Sequence, residues 1–141
     1  MADPAQVDRI RHGPAVWNAW RKRTKAPIDL SGANLGDAKL PKVNLQDAAL
    51  AEVRLRWAYM REANLIGSCL AKADLRIIDL SKADLRGADL TGARLDGAYL
   101  READLSGANL SNASLLGVNF DRAHLKNANL RGANLRNAVL V

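Results

Sequence analysis

Four evenly spaced aspartates are the residues of this chain whose type and spacing could do chemistry. Asp74, Asp79, Asp84 and Asp89 follow one another at intervals of five residues. Carboxylates that converge can bind a divalent cation or share acid and base work. These four occupy the same place in successive five-residue units, and we expect each to project from a different side of the molecule. The spacing therefore predicts hydrogen bonding within turns, and neither a metal site nor an acid–base pair.

The other residues that could carry chemistry stand alone. His12 and His124 lie at opposite ends of the chain. Cys69 is the single cysteine, which excludes a disulfide within the chain and a cysteine-based zinc site. We interpret Cys69 as a small side chain at an outward position with no chemical role. The alternative is that its thiol is a site of modification. The glycines fall in turn positions rather than in a phosphate-binding loop. We predict no enzymatic activity, no catalytic residue, no metal and no cofactor.

The elements that must position these residues repeat every five positions. Leucine recurs at every fifth position from Leu30 to Leu140, with Met60 and Phe120 as the only replacements, which makes 23 consecutive units without an insertion. Alanine usually stands two positions earlier, so the unit reads A-(D/N)-L-x-x. The exceptions at the alanine position are Ile28, Val43, Val53, Ser68, Ile78 and Val118.

Neither an α-helix nor a straight strand can bury a side chain at every fifth position. Five helical residues advance about 500°, so successive leucines would be rotated by about 140° and would form no apolar face. An odd interval along a strand would alternate the leucines between its two faces. A short extended stretch does place Ala and Leu on one side, and a turn after it can bring the next Leu inside again. The pattern therefore predicts a solenoid that turns once in every unit.

Outward charges indicate how many units form one coil. At intervals of twenty residues, two columns of charged residues alternate in sign. Strands stacked about 4.8 Å apart would place the members of a column above one another, where opposite charges attract. Four units per coil are therefore expected. The two columns are Lys42, Glu62, Lys82, Glu102 and Arg122, and Arg54, Asp74 and Arg94.

These repeats resemble the pentapeptide-repeat family, whose consensus A-(D/N)-L-x-x covers residues 28–141 of this chain. The resemblance implies an all-β fold, namely a right-handed quadrilateral β-helix with Leu at the centre of each face and Ala beside it. Four units per coil would make about six coils. The string WNAWR ahead of the repeat is similar to a capping segment of bacterial members of the family, and it identifies no activity.

Residues 1–27 lie outside the repeat and are predicted to form a helical cap. The stretch Ala5–His12 can form a helix that Gly13 stops. Pro14 suits the first turn of a second helix, over about 14–24. The first coil of a solenoid exposes leucines and unpaired strand edges, and a cap covers both.

The second predicted helix carries the residues that would cover the first coil. Val16, Trp17 and Trp20 are expected to share one apolar face directed at the coil. Arg21 and the basic residues after it are expected to trail into solvent.

The opposite end of the repeat has no comparable cover in the sequence. Its apolar residues are Leu116, Val139, Leu140 and Val141. An uncovered last coil is prone to aggregate unless something pairs with it, so one prediction is a two-fold homodimer formed through this end. The alternatives are that terminal charge and fraying suffice, or that the chain is truncated.

Large apolar side chains are also predicted on the outside of the solenoid. Trp57, Tyr59 and Ile77 occupy outward positions near the second and third coils, and Tyr99 lies two coils above Tyr59. Exposed aromatic residues beside arginines have the composition of an interaction hot spot. The alternative is that Trp57 packs against the N-terminal segment. The flanking arginines are Arg54, Arg56, Arg61 and Arg76.

Composition and charge narrow the classes of function. Apolar residues make up 48% of the chain and aromatic residues only 4%, which suits a narrow repeated cross-section better than a compact enzyme core. The formal net charge is +6, but the repeat is near neutral and has no continuous basic stripe with interleaved aromatics. Specific nucleic-acid binding is therefore not expected. We predict a non-enzymatic protein-interaction module with an unidentified protein partner.

Two other functions stay open from the sequence. Some pentapeptide-repeat proteins mimic DNA, bind DNA gyrase and confer fluoroquinolone protection, a role that the basic charge of this chain disfavours. A purely structural role is the second alternative. No stretch approaches the ~18 apolar residues that span a bilayer, and no secretory signal is recognisable, so we expect a cytoplasmic location.

Overall fold

The computed structural model describes residues 1–140, which form two short helices followed by a stack of coils. Helix α1 spans Pro4–Arg11 and helix α2 spans Pro14–Arg21. Beyond them, the described residues form isolated parallel β-bridges and contain no extended β-strand. The predicted bounds of the first helix differ from α1 by one residue at each end, whereas α2 stops at Arg21 instead of continuing to about residue 24.

Local capping chemistry sets where the helices begin and end. Asp3 Oδ1 accepts hydrogen bonds from the N–H groups of Ala5 at 2.9 Å and Gln6 at 3.4 Å, which satisfies two donors of the first turn of α1. The helices are separated at Gly13, whose φ of 98° is a conformation that only glycine adopts readily. Pro14 then begins α2, where its missing N–H costs nothing.

Parallel bridges join residues that are twenty apart throughout the coils. The first pairs Asp29 with Ala49, and the last pairs Asn119 with Val139. In the first bridge the Leu30 N–H donates to the Ala49 carbonyl at 2.9 Å, and the Ala49 N–H donates to the carbonyl of residue 28 at 2.8 Å. Bridges recur every five residues, so one coil comprises four units and presents four faces, as the alternating charges predicted.

Each unit turns at the two positions that follow its leucine. The second of these positions takes the left-handed conformation, for example at Asp37 with a φ of 59°. The turn is closed by a backbone bond from the next alanine position, as from Ala38 to Leu35 at 3.2 Å. Where an Asp or Asn precedes the leucine, its side chain also accepts a bond from the N–H two residues later, as Asp29 does from Ser31 at 2.9 Å.

Leucine and alanine side chains fill the interior of the coils. Nearly every residue of this kind from Leu30 to Leu115 is buried. Met60 and Phe120 occupy leucine positions and are 0% and 2% exposed, so both replacements fit inside. The buried Ser68 hydroxyl donates to a backbone carbonyl at 2.8 Å and is thereby satisfied. Each buried leucine contributes about 1.5–3 kcal/mol of hydrophobic stabilisation.

Candidate functional site

The outward aromatic and arginine residues gather on two adjacent faces of the coils. Trp57, Tyr59 and Tyr99 are 53%, 41% and 49% exposed, and Ile77 is half-buried. Because Trp57 is exposed, the alternative that it packs beneath the N-terminal segment is wrong. We call this group the aromatic–arginine patch, and its members are Arg54, Arg56, Trp57, Tyr59, Arg61, Arg76, Ile77 and Tyr99.

The register of the coils sets the spacing within the patch. Trp57 and Ile77 hold equivalent positions in neighbouring coils, because they are twenty residues apart. Tyr59 bridges Asp79, which in turn bridges Tyr99, so the two tyrosines are separated by two coils, or about 9.6 Å. Trp57 and Tyr59 flank the same corner of one coil. The patch therefore has a fixed geometry imposed by the backbone.

Trp57 and Ile77 hold a backbone conformation that does not suit their side chains. Their φ angles are 66° and 58°, in the left-handed region. For a residue with a Cβ atom this conformation costs about 1–2 kcal/mol, and it is an outlier for a β-branched residue. Gly97 and Gly117 occupy the same column in later coils and adopt it without that cost. Because the same turn position is left-handed in units throughout the coils, this conformation belongs to the repeat and is not confined to the patch.

An ion pair orients Arg61 across the patch. Its Nε lies 2.7 Å from Asp79 Oδ2, and its guanidinium lies 5.5 Å from the centre of the Tyr59 ring. Burial raises the pKa of the Asp79 carboxyl, but hydrogen bonds from Ser81 and Arg61 outweigh that effect and hold the pKa below its ordinary value. The carboxylate therefore stays charged at neutral pH and keeps the guanidinium beside the tyrosine.

The remaining arginines leave the patch with a positive charge. Arg76 donates two hydrogen bonds to the Asp74 carboxylate, from Nε to Oδ1 at 2.7 Å and from Nη2 to Oδ2 at 2.5 Å. Hydrogen bonding from Arg76 holds the pKa of the Asp74 carboxyl below its ordinary value. Arg54 and Arg56 are exposed, and no carboxylate among residues 1–140 forms a salt bridge with them. The Arg56 guanidinium lies 5.9 Å from the centre of the Trp57 ring.

The two alternating columns of charge form ion pairs only in part. Lys42 lies 3.9 Å from Glu62, and Lys82 lies 3.9 Å from Glu102. Asp74 bridges both Arg54 and Arg94 through the backbone, but its carboxylate binds Arg76 of its own turn instead. The columns thus indicated the correct register, although local turn geometry decides which charges pair.

The four evenly spaced aspartates bond within their own turns, as predicted. Each accepts a hydrogen bond from the N–H two residues later, at 3.0 to 3.4 Å. Within residues 1–140 no group of three or more histidine, cysteine, aspartate or glutamate residues could hold a metal ion. The pairs are Asp74 with Arg76, Asp79 with Ser81, Asp84 with Arg86, and Asp89 with Thr91.

Helix α2 covers the first coil with only part of its predicted apolar face. Trp17 is fully buried, and Trp20 is half-buried with its ring centre 5.1 Å from that of Trp17. Arg9 of α1 lies 4.3 Å above the Trp20 ring. Val16 is 49% exposed, so the prediction that it shares the face directed at the first coil is wrong, although it lies within α2. One residue along a helix rotates a side chain by about 100°, which turns Val16 away from the side that buries Trp17.

The cap also bonds to the first coil through polar residues that sequence reasoning missed. Arg21 was expected in solvent, but its Nη2 donates to the Gln46 carbonyl at 2.9 Å. Asn18 Nδ2 donates to the Lys42 carbonyl at 2.9 Å. A signal was present in the spacing of WNAWR, because Arg21 lies three positions after Asn18 and four after Trp17, and residues at these spacings are neighbours on a helix.

The apolar residues predicted at the other end of the coils are partly exposed. Leu116, Val139 and Leu140 are 38%, 44% and 61% exposed. Val141, the fourth residue of that prediction, lies outside the described residues. In the part of the chain that the structure describes, neither helix has the length and apolar content to cross a membrane.

Comparison with known proteins shows what the chain is similar to. A model of pentapeptide repeats, in eight copies, matches residues 28–67, 42–76, 68–107, 78–115 and 103–140. No curated protein matches the sequence.

Three solved structures are among those similar to this chain. The pentapeptide repeat protein Rfr23 of the cyanobacterium Cyanothece 51142 is 28% identical, with a TM-score of 0.63 over 88% of this chain and 97% of that one. The pentapeptide repeat protein alr5209 of Nostoc PCC 7120 is 31% identical over 94% of this chain and 75% of that one, with a TM-score of 0.42. A trypsin-treated form of QnrB1, a plasmid-mediated fluoroquinolone resistance protein, is 20% identical over 78% and 59%, with a TM-score of 0.46.

These similarities agree with the twenty-residue register and the filled leucine interior. The family model and the likeness to Rfr23 imply a right-handed quadrilateral β-helix for the coils. Because the family model matches nearly all of the chain beyond residue 27, this chain belongs to the pentapeptide repeat family.

Proposed function

We propose that this protein is a non-enzymatic interaction module that presents the aromatic–arginine patch to a protein partner. The observation that supports this role is the exposure of Trp57 beside Arg56, which forms no salt bridge within residues 1–140. Exposed tryptophan, tyrosine and arginine are the side chains that most often dominate binding energy at interfaces. The positive charge of the patch favours a partner surface that combines acidic and apolar groups.

A rigid scaffold suits such a role. We propose a rod of about six coils, acting in the cytoplasm, in which leucine side chains occupy the space that an enzyme would need for a substrate pocket. Association of two copies through Leu116, Val139 and Leu140 is a second element of the proposal, because these apolar residues are exposed at one end of the rod.

Two alternative functions compete with this proposal. Binding to DNA gyrase as a DNA mimic requires an acidic rod, whereas this chain carries a net charge of +6. The likeness to QnrB1 is too distant to support that role. A purely structural role would leave the exposure of Trp57 and Tyr59 beside arginine residues without a purpose.

Affinity capture from bacterial lysate tests the proposal. Wild type is compared with a Trp57→Ala/Tyr59→Ala variant and with a Val16→Ala control, which removes an exposed apolar side chain but spares both the patch and the proposed association surface. A protein retained by wild type and control and lost with the patch variant supports the proposal. Equal capture by all three contradicts it and favours a structural role. If the retained protein is gyrase, the charge argument is wrong.

A further inference from the structure

The first coil needs partners for backbone groups that later coils satisfy among themselves. In every later coil the residue before the leucine directs both its N–H and its carbonyl at the coil before it. Ala49, for example, donates to Ile28 and accepts from Leu30. The first coil has four such positions, one on each face, namely Asp29, Asn34, Lys39 and Asn44. With no earlier coil present, these eight groups must bond to the cap or to something else.

The cap replaces a preceding coil completely on two faces. The Asp29 N–H donates to Gln6 Oε1 at 2.8 Å, and the Asp29 carbonyl accepts from the N–H of Asp3 at 2.8 Å. On another face the Asn44 N–H donates to Asn18 Oδ1 at 2.8 Å, and the Asn44 carbonyl accepts from Trp17 at 2.8 Å. Side-chain amides and an indole thus reproduce the two bonds of a parallel bridge.

The cover is incomplete on the other two faces. The Asn34 carbonyl accepts from Arg11 Nη2 at 3.2 Å, but the Asn34 N–H has no partner among residues 1–140. At Lys39 neither the N–H nor the carbonyl has a partner in the same described range, and the residue is exposed. We call the backbone of Lys39, together with the groove beside it, the open edge.

The groove of the open edge has a volume of about 200 Å³. Its apolar lining includes Ile10, Leu35 and Leu40, and its charged residues are Arg11 and Lys39, with no carboxylate among the residues that line it. The volume is below that of most small-molecule pockets but accommodates an apolar side chain. The open edge therefore combines unpaired backbone groups, an apolar floor and positive charge.

From this arrangement we infer that the open edge binds an extended acidic segment of a protein partner by β-augmentation. One residue of the segment accepts from the Lys39 N–H through its carbonyl, and the residue two positions later donates its N–H to the Lys39 carbonyl, as in the parallel bridges of the coils. Residues alternate along an extended segment, so an apolar side chain enters the groove while an acidic one lies above Lys39. This inference goes beyond the proposed function, because it uses backbone groups rather than the aromatic side chains.

The position of the open edge strengthens the inference. Lys39 bridges Tyr59, so the aromatic–arginine patch begins one coil below the unpaired backbone. A segment bound at the open edge would extend the same side of the molecule. The two surfaces can nevertheless be tested separately, because substitution of Trp57 leaves the Lys39 backbone unchanged.

Nuclear magnetic resonance of the ¹⁵N-labelled full chain tests the inference. The probe is a terminally blocked hexapeptide of alternating glutamate and leucine, and the control is its lysine–leucine counterpart. We expect the acidic peptide to shift the amide signals of Lys39 and its neighbours, and the basic peptide to leave them unchanged. Before peptide is added, the Lys39 amide should exchange with solvent faster than the amides of Asp29 and Asn44, which the cap protects.

Two variants separate the backbone bond from the charge. Lys39→Ala removes the charge and keeps the N–H, whereas Lys39→Pro removes both without breaking a hydrogen bond of the described chain. We expect Lys39→Pro to bind the acidic peptide about five- to tenfold more weakly than Lys39→Ala. Unchanged amide signals in the distant coils establish that both variants fold.

Three results would overturn the inference. Equal affinity of the two variants would show that the backbone of Lys39 is not used. Absence of any shift with the acidic peptide would mean that Lys39 only keeps other strands away from the edge. Shifts at Lys39 that appear with rising protein concentration alone would make a second copy of this chain the occupant.

Discussion

The indole Nε1 of Trp17 donates a 2.8 Å hydrogen bond to the backbone carbonyl oxygen of Asn44. In the later coils that position of the bridge is filled by the N–H of a leucine, as when Leu45 donates to Asn64 at 2.8 Å. A buried helical side chain therefore takes the place of a neighbouring coil. The cap stabilises the solenoid by backbone pairing as well as by apolar cover.

Replacing Trp17 by Phe should separate these two contributions. The phenyl ring preserves much of the apolar cover but leaves the Asn44 carbonyl without its donor, so we expect the free energy of unfolding to fall by about 1–3 kcal/mol. Urea denaturation measures this change. The matched control is Val16→Ala, which should change stability by less than about 0.5 kcal/mol because Val16 is exposed. Equal effects of the two substitutions would contradict the bonding role of Trp17.

Replacing Trp57 by Asn should have little effect on stability. Asparagine tolerates the left-handed conformation, and Asn112, Asn127 and Asn137 already adopt it in this chain. Relief of strain offsets the loss of partial burial, so we expect the free energy of unfolding to change by no more than about 1 kcal/mol. The buried Leu55→Ala is the contrast and should cost about 2–5 kcal/mol. A comparable loss in both variants would make Trp57 a structural residue.

Acid should destabilise the protein through its turn carboxylates. Hydrogen bonds from Arg76 and Arg86 hold the pKa values of the Asp74 and Asp84 carboxyls below their ordinary values. A carboxyl with a lowered pKa in the folded state contributes stability above its unfolded pKa of about 3.9, and this contribution is lost as the pH falls through the folded pKa. Stability should therefore decline below about pH 4.

Chemical denaturation at a series of pH values measures this decline. Asp74→Asn/Asp84→Asn should flatten the dependence of stability on pH, because asparagine does not titrate. Arg76→Gln serves as the partner control and should flatten it in part, since it removes the main cause of the lowered pKa at Asp74. An acid dependence identical to that of wild type in both variants would exclude these turns as the source.

Deleting one whole coil should preserve the fold. Removal of residues 85–104 takes out twenty residues, the interval that the bridges show, and so rejoins equivalent positions on every face. We expect a folded protein of lower stability, because fewer coil interfaces remain. Circular dichroism and a cooperative urea transition test this outcome. Deleting residue 92 alone should disrupt folding, because every later leucine leaves its interior position.

The five-residue repeat was sufficient to predict the coil interior and the hydrogen bonding of Asp74 and its equivalents, because each follows from a local rule that applies again in all 23 units. The four units per coil were predicted from a longer pattern, the charges that alternate in sign at intervals of twenty residues. The cap does not repeat. Its helices were recognisable from Gly13 and Pro14, but the direction in which Val16 and Arg21 point depends on how α2 docks on a distant coil.

The aromatic–arginine patch and the open edge also differ in how far the sequence could predict them. The five-residue pattern was enough to place Trp57 and Tyr59 outside, near the second and third coils. Whether the N-terminal segment covers Trp57 was decided by tertiary structure alone. The open edge at Lys39 also had no sequence signal, because an unpaired backbone group looks like any other until the neighbouring elements are in place. Repetition makes the coils predictable, and the ends, where repetition stops, depend on long-range docking.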